Sequence, residues 1–169
     1  MPLPSRKQQT FAYRDYLSWP ENYRVELLDG AVFDMSPAPS RRHQQVSGEL
    51  FKQIAVFLTG KPCKVYSAPF DVRLPDEEEA DDEVRTVVQP DILVVCDESK
   101  LDERGCRGAP DVVLEVVSPA SAARDQIYKV RIYEKAGVRE YWIVHPVDNL
   151  IPVRRLGPAG NYDIPKLNE

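Results

Sequence analysis

The sequence predicts one mixed α/β domain, and three observations carry that reading. Apolar, strand-like runs alternate with amphipathic helical stretches, without an internal repeat or a long linker. The run DVVLEVVS, a helical stretch ending near Gly137 and the run REYWIVHP form a βαβ unit. The 169 residues are 43% hydrophobic, which suits one core and a single domain spanning 1–169.

The elements follow in chain order. FAYRDYLSW is a short helix stopped at Pro20, and RVELLDGAVFDM is a hairpin whose Asp29-Gly30 supplies the turn. Ser40 caps a helix running to about Leu58, with Val46, Leu50, Ile54 and Phe57 spaced three or four apart. Gly60 and Pro62 end it. Strands are expected at CKVYSAPFDVRL, TVVQPDILVVCD and DVVLEVVS, with the charged, Gly- and Pro-containing ESKLDERGCRGAP as a connecting loop. Ser121 caps the next helix, and REYWIVHP and LIPVRRL supply two further strands.

Charge and cysteine usage narrow the function classes. The net charge of -5 argues against a polyanionic partner at face value, but residues 76–83, DEEEADDE, carry the excess. Without them the chain is slightly basic, leaving room for patches around Arg41, Arg42, Lys61, Lys64, Arg104, Arg107 and Arg124. The acidic run reads as a solvated loop that tolerates shortening. Cys63, Cys96 and Cys106 are odd in number and lack CxxC spacing, so they read as ordinary thiols. No apolar run is long enough to cross a membrane, and the N-terminal residues show no signal-peptide core. The expectation is a soluble, cytoplasmic protein with no membrane partner.

Chemistry concentrates between Gln89 and Pro146. Asp91 opens the strand PDILVVCD, Glu115 sits inside DVVLEVVS, and Lys129 lies in the following helix. A carboxylate in an apolar strand costs several kcal/mol, in order of magnitude, unless a cation or proton compensates it. By strand alternation Glu115 shares a face with Val113 and Val117, which desolvate it. If the two strands pair, Asp91 and Glu115 come together and suit a divalent cation. Magnesium matches such hard oxygen donors best, with manganese as the alternative. His43 and His145 lack zinc-ligand spacing. Lys129 then orients or activates a water for attack on a phosphodiester.

Each position also has a structural reading. Asp91 after Pro90 can bond local backbone N–H groups, and Lys129 can pair on a helix surface with Asp125, four residues before it. Glu115 is harder to explain that way, since an apolar strand gains nothing from it.

The residues QPDILVVCD, RGAPDVVLEVVSPAS and RDQIYKVRIYEKAGVREYWIVHP, with upstream support from YRVELLDGAVFDMSPAPSRRHQQV, resemble the Uma family of predicted restriction endonucleases, within the PD-(D/E)XK nuclease superfamily. The resemblance covers roughly residues 22–146 and implies a restriction-endonuclease-like αβββαβ core, a mixed sheet flanked by helices. It assigns the PD motif to Pro90-Asp91 and the second acid to Glu115. The usual lysine two residues beyond that acid is replaced by Val117, and Lys129 looks like its migrated substitute, steadied by Asp125. Glu26, His43 and Asp71 fall in further parts of the pattern and are outlying candidates around the site. A hairpin-surface acid is an equal reading of Glu26, and a helix N-terminal polar residue is the simpler reading of His43. Where family members commonly carry an acid before the last proline of the motif, this chain has His145.

Three functions are compatible with these observations. The first is a magnesium-dependent endonuclease acting on DNA, with Asp91, Glu115 and the Val116 carbonyl as metal ligands and Lys129 assisting water. The second is a nucleic-acid-binding or assembly module on a nuclease fold that does not cleave. The third is an interaction protein in which the acids serve stability. Cutting both strands of a duplex needs two active sites, so the first reading carries the expectation of a homodimer.

Overall fold

The structure, a computed structural model, describes residues 9–35, 38–119 and 121–165, without the side chains of residues 124–126. Helix α1 (Tyr13–Ser18) is followed by the hairpin β1 (Val25–Leu28) and β2 (Ala31–Asp34). Asp29 and Gly30 both take positive φ, 50° and 83°, as a two-residue primed turn requires. Helix α2 (Arg41–Leu58) starts where Ser40 accepts a hydrogen bond from the His43 amide, as its sequence predicts.

The next two expected strands are each broken by a proline. CKVYSAPFDVRL becomes β3 (Lys64–Ser67) and β4 (Val72–Arg73), and TVVQPDILVVCD becomes β5 (Val87–Val88) and β6 (Ile92–Val95). Pro69 and Pro90 have no N–H to continue a ladder, so at each the chain leaves one sheet and enters another. The result is two mixed sheets where one was expected. The stretch read as a loop after β6 contains a small hairpin, β7 (Leu101–Asp102) and β8 (Gly105–Arg107). Gly105 makes this fit, because a Cβ there would stand 2.1 Å from the Asp71 carbonyl oxygen and its φ is +124°. Strand β9 (Val112–Val116), helix α3 (Val130–Ala136), β10 (Glu140–Val144) and β11 (Val153–Arg155) complete the chain. A π-helical stretch, Arg124–Lys129, leads directly into α3.

One sheet has the order β11-β10-β9-β6-β3, the other β2-β1-β5-β4-β8-β7. Within the first, β9 and β10 run parallel across the helix that joins them, and β6 lies antiparallel to β9 with Ile92 opposite Leu114. Helix α2, strands β3, β6 and β9, helix α3 and strand β10 thus form the αβββαβ order. The apolar faces of both sheets close on Leu28, Val72, Leu93, Val113, Tyr133 and Tyr141, all buried. Ahead of the last helix Ser118 and Ser121 bond each other: Ser118 Oγ accepts the Ser121 amide and its carbonyl the Ala122 amide, while Ser121 Oγ accepts the Ser118 amide. Gly137, at φ 87°, ends α3.

Two expectations about charge and cysteine are corrected. The acidic run is exposed over most of its length, but Asp81 is tied to Arg73 at 2.7 Å, and Arg73, on β4, is only 1% exposed. The run therefore carries an anchor, because a buried guanidinium needs its partners, and free shortening does not follow. Cys63 and Cys96 form a disulfide, since the β3–β6 pairing of Lys64 with Val95 makes them the next opposed pair. That register could not be read before the strands were paired. Cys106 alone is a free thiol, buried, with its pKa pushed up to about 11 by that burial.

Candidate active site

The two sheets part at Gln89-Pro90-Asp91, and the candidate residues gather at that seam. Glu26 on β1 is 1% exposed and Glu115 on β9 is 4% exposed, so both carboxylates are taken out of water. Lys129, also 4% exposed, lies between them: its Nζ is 2.6 Å from Glu115 Oε1 and 3.0 Å from Glu26 Oε1. The Tyr133 hydroxyl, one helical turn beyond Lys129, donates to the same Glu115 oxygen at 3.0 Å. The Gln89 amide donates to Glu26 Oε1 at 2.9 Å. A buried cation shared by two carboxylates, each with a further donor, offsets part of the desolvation cost that neither carboxylate could meet alone.

Asp91 stands at the wetter side of this cluster. Its Oδ2 accepts the Val116 amide at 2.7 Å across the β6–β9 pair, and His43 Nε2 on α2 lies 3.4 Å from the same oxygen. Glu26, His43, Asp91, Glu115, Val116 and Lys129 line one cavity of about 400 Å³. The sequence-predicted site residues are therefore brought together, apart from Asp71 and Asp125.

Asp71 sits one residue away from the cavity. Its Oδ1 accepts from the Tyr16 hydroxyl and from Gln89 Nε2, both at 2.9 Å, and burial raises its pKa against the pull of those donors. The Tyr16 phenol is pushed up for the same reason, burial first and the Asp71 charge second. Gln89 thus links this pair to Glu26, which the sequence reading did not recognise. The Asp125 side chain lies outside the described residues, so its pairing with Lys129 is not among the contacts seen. Lys129 is not the surface cation that an isolated helix would make it, and Glu26 is not a hairpin-surface acid.

Residues 13–169 match the family described as "Putative restriction endonuclease", Uma2. The chain belongs to the Uma2 family. Among curated proteins, "Uncharacterized protein slr1290" of Synechocystis sp. (strain ATCC 27184 / PCC 6803 / Kazusa) is 26% identical over 132 residues. That alignment takes in 77% of this chain and 65% of the relative, so the Uma2 chain spans slightly less than two thirds of that relative's length. Among solved structures, a crystal structure described as "a putative nuclease belonging to DUF820" from Anabaena variabilis ATCC 29413 superposes with a TM-score of 0.69 at 18% identity. The superposition covers 86% of this chain and 79% of that one, and shows a shared fold.

The chemistry of the donor set at the Uma2 site fits a small hard cation. Asp91 and Glu115 line one cavity, and Val116, the residue after Glu115, lines it too and adds a backbone carbonyl. Among the described residues no group of three or more His, Cys, Asp and Glu side chains is gathered to hold a metal. Two carboxylates and one carbonyl would leave a hard divalent cation to complete its shell with other oxygens. No helix among the described residues is long and apolar enough to cross a membrane.

Proposed function

We propose that this Uma2 protein is a magnesium-dependent endonuclease that hydrolyses DNA phosphodiester bonds. The observation that carries this reading is Lys129 held within hydrogen-bond distance of Glu115 in a cavity that Asp91 also lines. Family membership and the nuclease-like fold support it independently. Asp91, Glu115 and the Val116 carbonyl would hold the cation, with manganese as the alternative metal. When bound, the cation polarises the scissile phosphate and makes a water at the site more acidic.

The chain's own residues have separable tasks in this reading. The Val116 amide fixes Asp91, and Tyr133 with Lys129 fixes Glu115. Lys129 orients the attacking water and stabilises negative charge developing on the phosphate. Glu26 holds Lys129 from the other side, and Gln89 holds Glu26. His43, against Asp91 and lining the same cavity, is placed to contact a substrate phosphate. Two copies with two-fold symmetry would cut both strands of a duplex.

The test is plasmid nicking with magnesium by the wild-type protein, Asp91→Ala and Glu115→Gln, alongside metal titration by calorimetry. Metal binding and nicking by wild type alone are expected, and equal nicking by both variants would remove the assignment. One observation favours a second reading: Oε1 of Glu115 already accepts from both Lys129 and Tyr133, as in an ion cluster kept for stability. Under that reading the chain is an interaction protein on a nuclease fold whose acids serve stability, and magnesium leaves its melting temperature unchanged.

A further inference from the structure

We infer that the cavity over Asp91 and Glu115 receives one nucleotide withdrawn from base pairing, so that the strand is single or locally unpaired where it is cut. The inference rests on the nuclease reading above and names its substrate class. Size is the first ground. At about 400 Å³ the recess is near the lower end of pockets that enclose a small molecule, a scale that suits a single nucleotide and not a continuous duplex.

Its lining is the second ground. Met35, Pro39, Val117, Pro119, Pro146 and Val147 give the recess mostly apolar walls beside the carboxylates. A phosphate backbone alone has no use for such walls, whereas the two faces of an unstacked base do. Arg24 and Arg42, also at the recess and exposed, suit the flanking phosphates.

The third ground is the connection between β10 and β11. Val147 is 72% exposed, Leu150 47% and Ile151 43%, although Val147 borders the charged site. Apolar side chains offered to water beside a nucleotide-sized recess can fill the gap that a displaced base leaves in a stack.

The experiment compares three forms of one labelled oligonucleotide with the full chain and magnesium: a single strand, a fully paired duplex, and a duplex carrying one unpaired nucleotide. Cleavage sites are mapped on gels, and Val147→Asp, a change at an exposed position, is run in parallel with its melting temperature. Cleavage of the single strand and at the unpaired nucleotide about tenfold or more faster than of the paired duplex is expected, given what stacking of one base contributes. Val147→Asp should narrow that ratio without lowering the melting temperature. Equal or faster cutting of the paired duplex overturns the inference and leaves the nuclease reading standing. If no form is cut with magnesium or manganese, the nuclease reading fails and the inference falls with it.

Discussion

The Lys129 ammonium lies 2.6 Å from Oε1 of Glu115, a contact made from a helix to the middle of a neighbouring strand with both side chains buried. Its first consequence is an asymmetry between single and paired substitutions. Lys129→Met leaves two buried carboxylates facing each other and should lower stability by about 3–5 kcal/mol. Combining it with Glu115→Gln should recover part of that loss, while nicking of DNA stays abolished. Urea denaturation of the two single variants and the double variant checks the coupling. Simple additivity would remove the pair as a unit.

Tyr133 holds Glu115 through its hydroxyl at 3.0 Å and is fully buried. Tyr133→Phe keeps the ring and removes the donor, so a stability loss of about 1–2 kcal/mol is expected. Under the nuclease reading the magnesium concentration needed for half-maximal nicking should also shift. An unchanged metal dependence would limit Tyr133 to a packing role.

Arg73 donates to Asp81 at 2.7 Å and to Asp102 at 2.6 Å, and the Asp102 pKa is lowered chiefly by its bond to Arg73. Both acids are partly exposed, so solvent screens the pairs and reduces what each contributes. Arg73→Ala should still cost about 2–4 kcal/mol, because it empties a buried site as well as freeing the acids. Asp102 has a depressed folded pKa, so its share of stability is present above the unfolded carboxylate value and lost as pH falls through the folded one. Asp102→Asn should flatten the acid limb of a stability-against-pH curve measured by thermal melting.

Asp71 has the opposite sign. Burial raises its pKa above the ordinary value of 3.8, so the folded chain holds a proton that the unfolded chain has released. Stability then falls as pH rises through that window. Asp71→Asn keeps an oxygen for Tyr16 and Gln89 to donate to, and should be the more stable protein at neutral pH. The advantage should vanish once pH drops below the unfolded value, which melts taken from about pH 3.5 to 8 will show.

The disulfide closes a chain segment with a sequence separation of 33 between Cys63 and Cys96. Loop-closure entropy alone puts its contribution at about 3–4 kcal/mol, so Cys63→Ala with Cys96→Ala should melt well below the oxidised wild type. Reduced wild type should melt near the double variant. If oxidised and reduced protein melt together, the bond constrains little.

Much of this fold was legible because local signals agreed with the tertiary outcome. Ser40 caps α2, Asp29-Gly30 turns the first hairpin, and Gly137 ends α3, each by chemistry within a few residues. Glu115 was legible as a misfit in an apolar strand, and Asp91 and Lys129 as site residues through the resemblance. What stayed hidden depends on residues far apart in sequence. The division into two sheets turns on Pro69 and Pro90, which a run of strand-forming residues masks. The β7–β8 hairpin looked like a loop because Gly105 reads as a breaker until Asp71 is seen beside it. Tyr133 carried one usable signal, its spacing of four from Lys129 on the helix. Gln89 carried none, since its role comes from contacts with Glu26 on one side and Asp71 on the other.

Three consecutive residues at the seam serve different neighbours. Gln89 braces Glu26, Pro90 closes one ladder, and Asp91 opens the next with its carboxylate on Val116. Such a stretch has no slack. Deleting or inserting a single residue between Val88 and Ile92 would turn over the side-chain alternation of one strand relative to the other, a far heavier injury than any point substitution there. Length variation in this protein should therefore collect in its surface turns, with the spacing from Val88 to Ile92 held fixed.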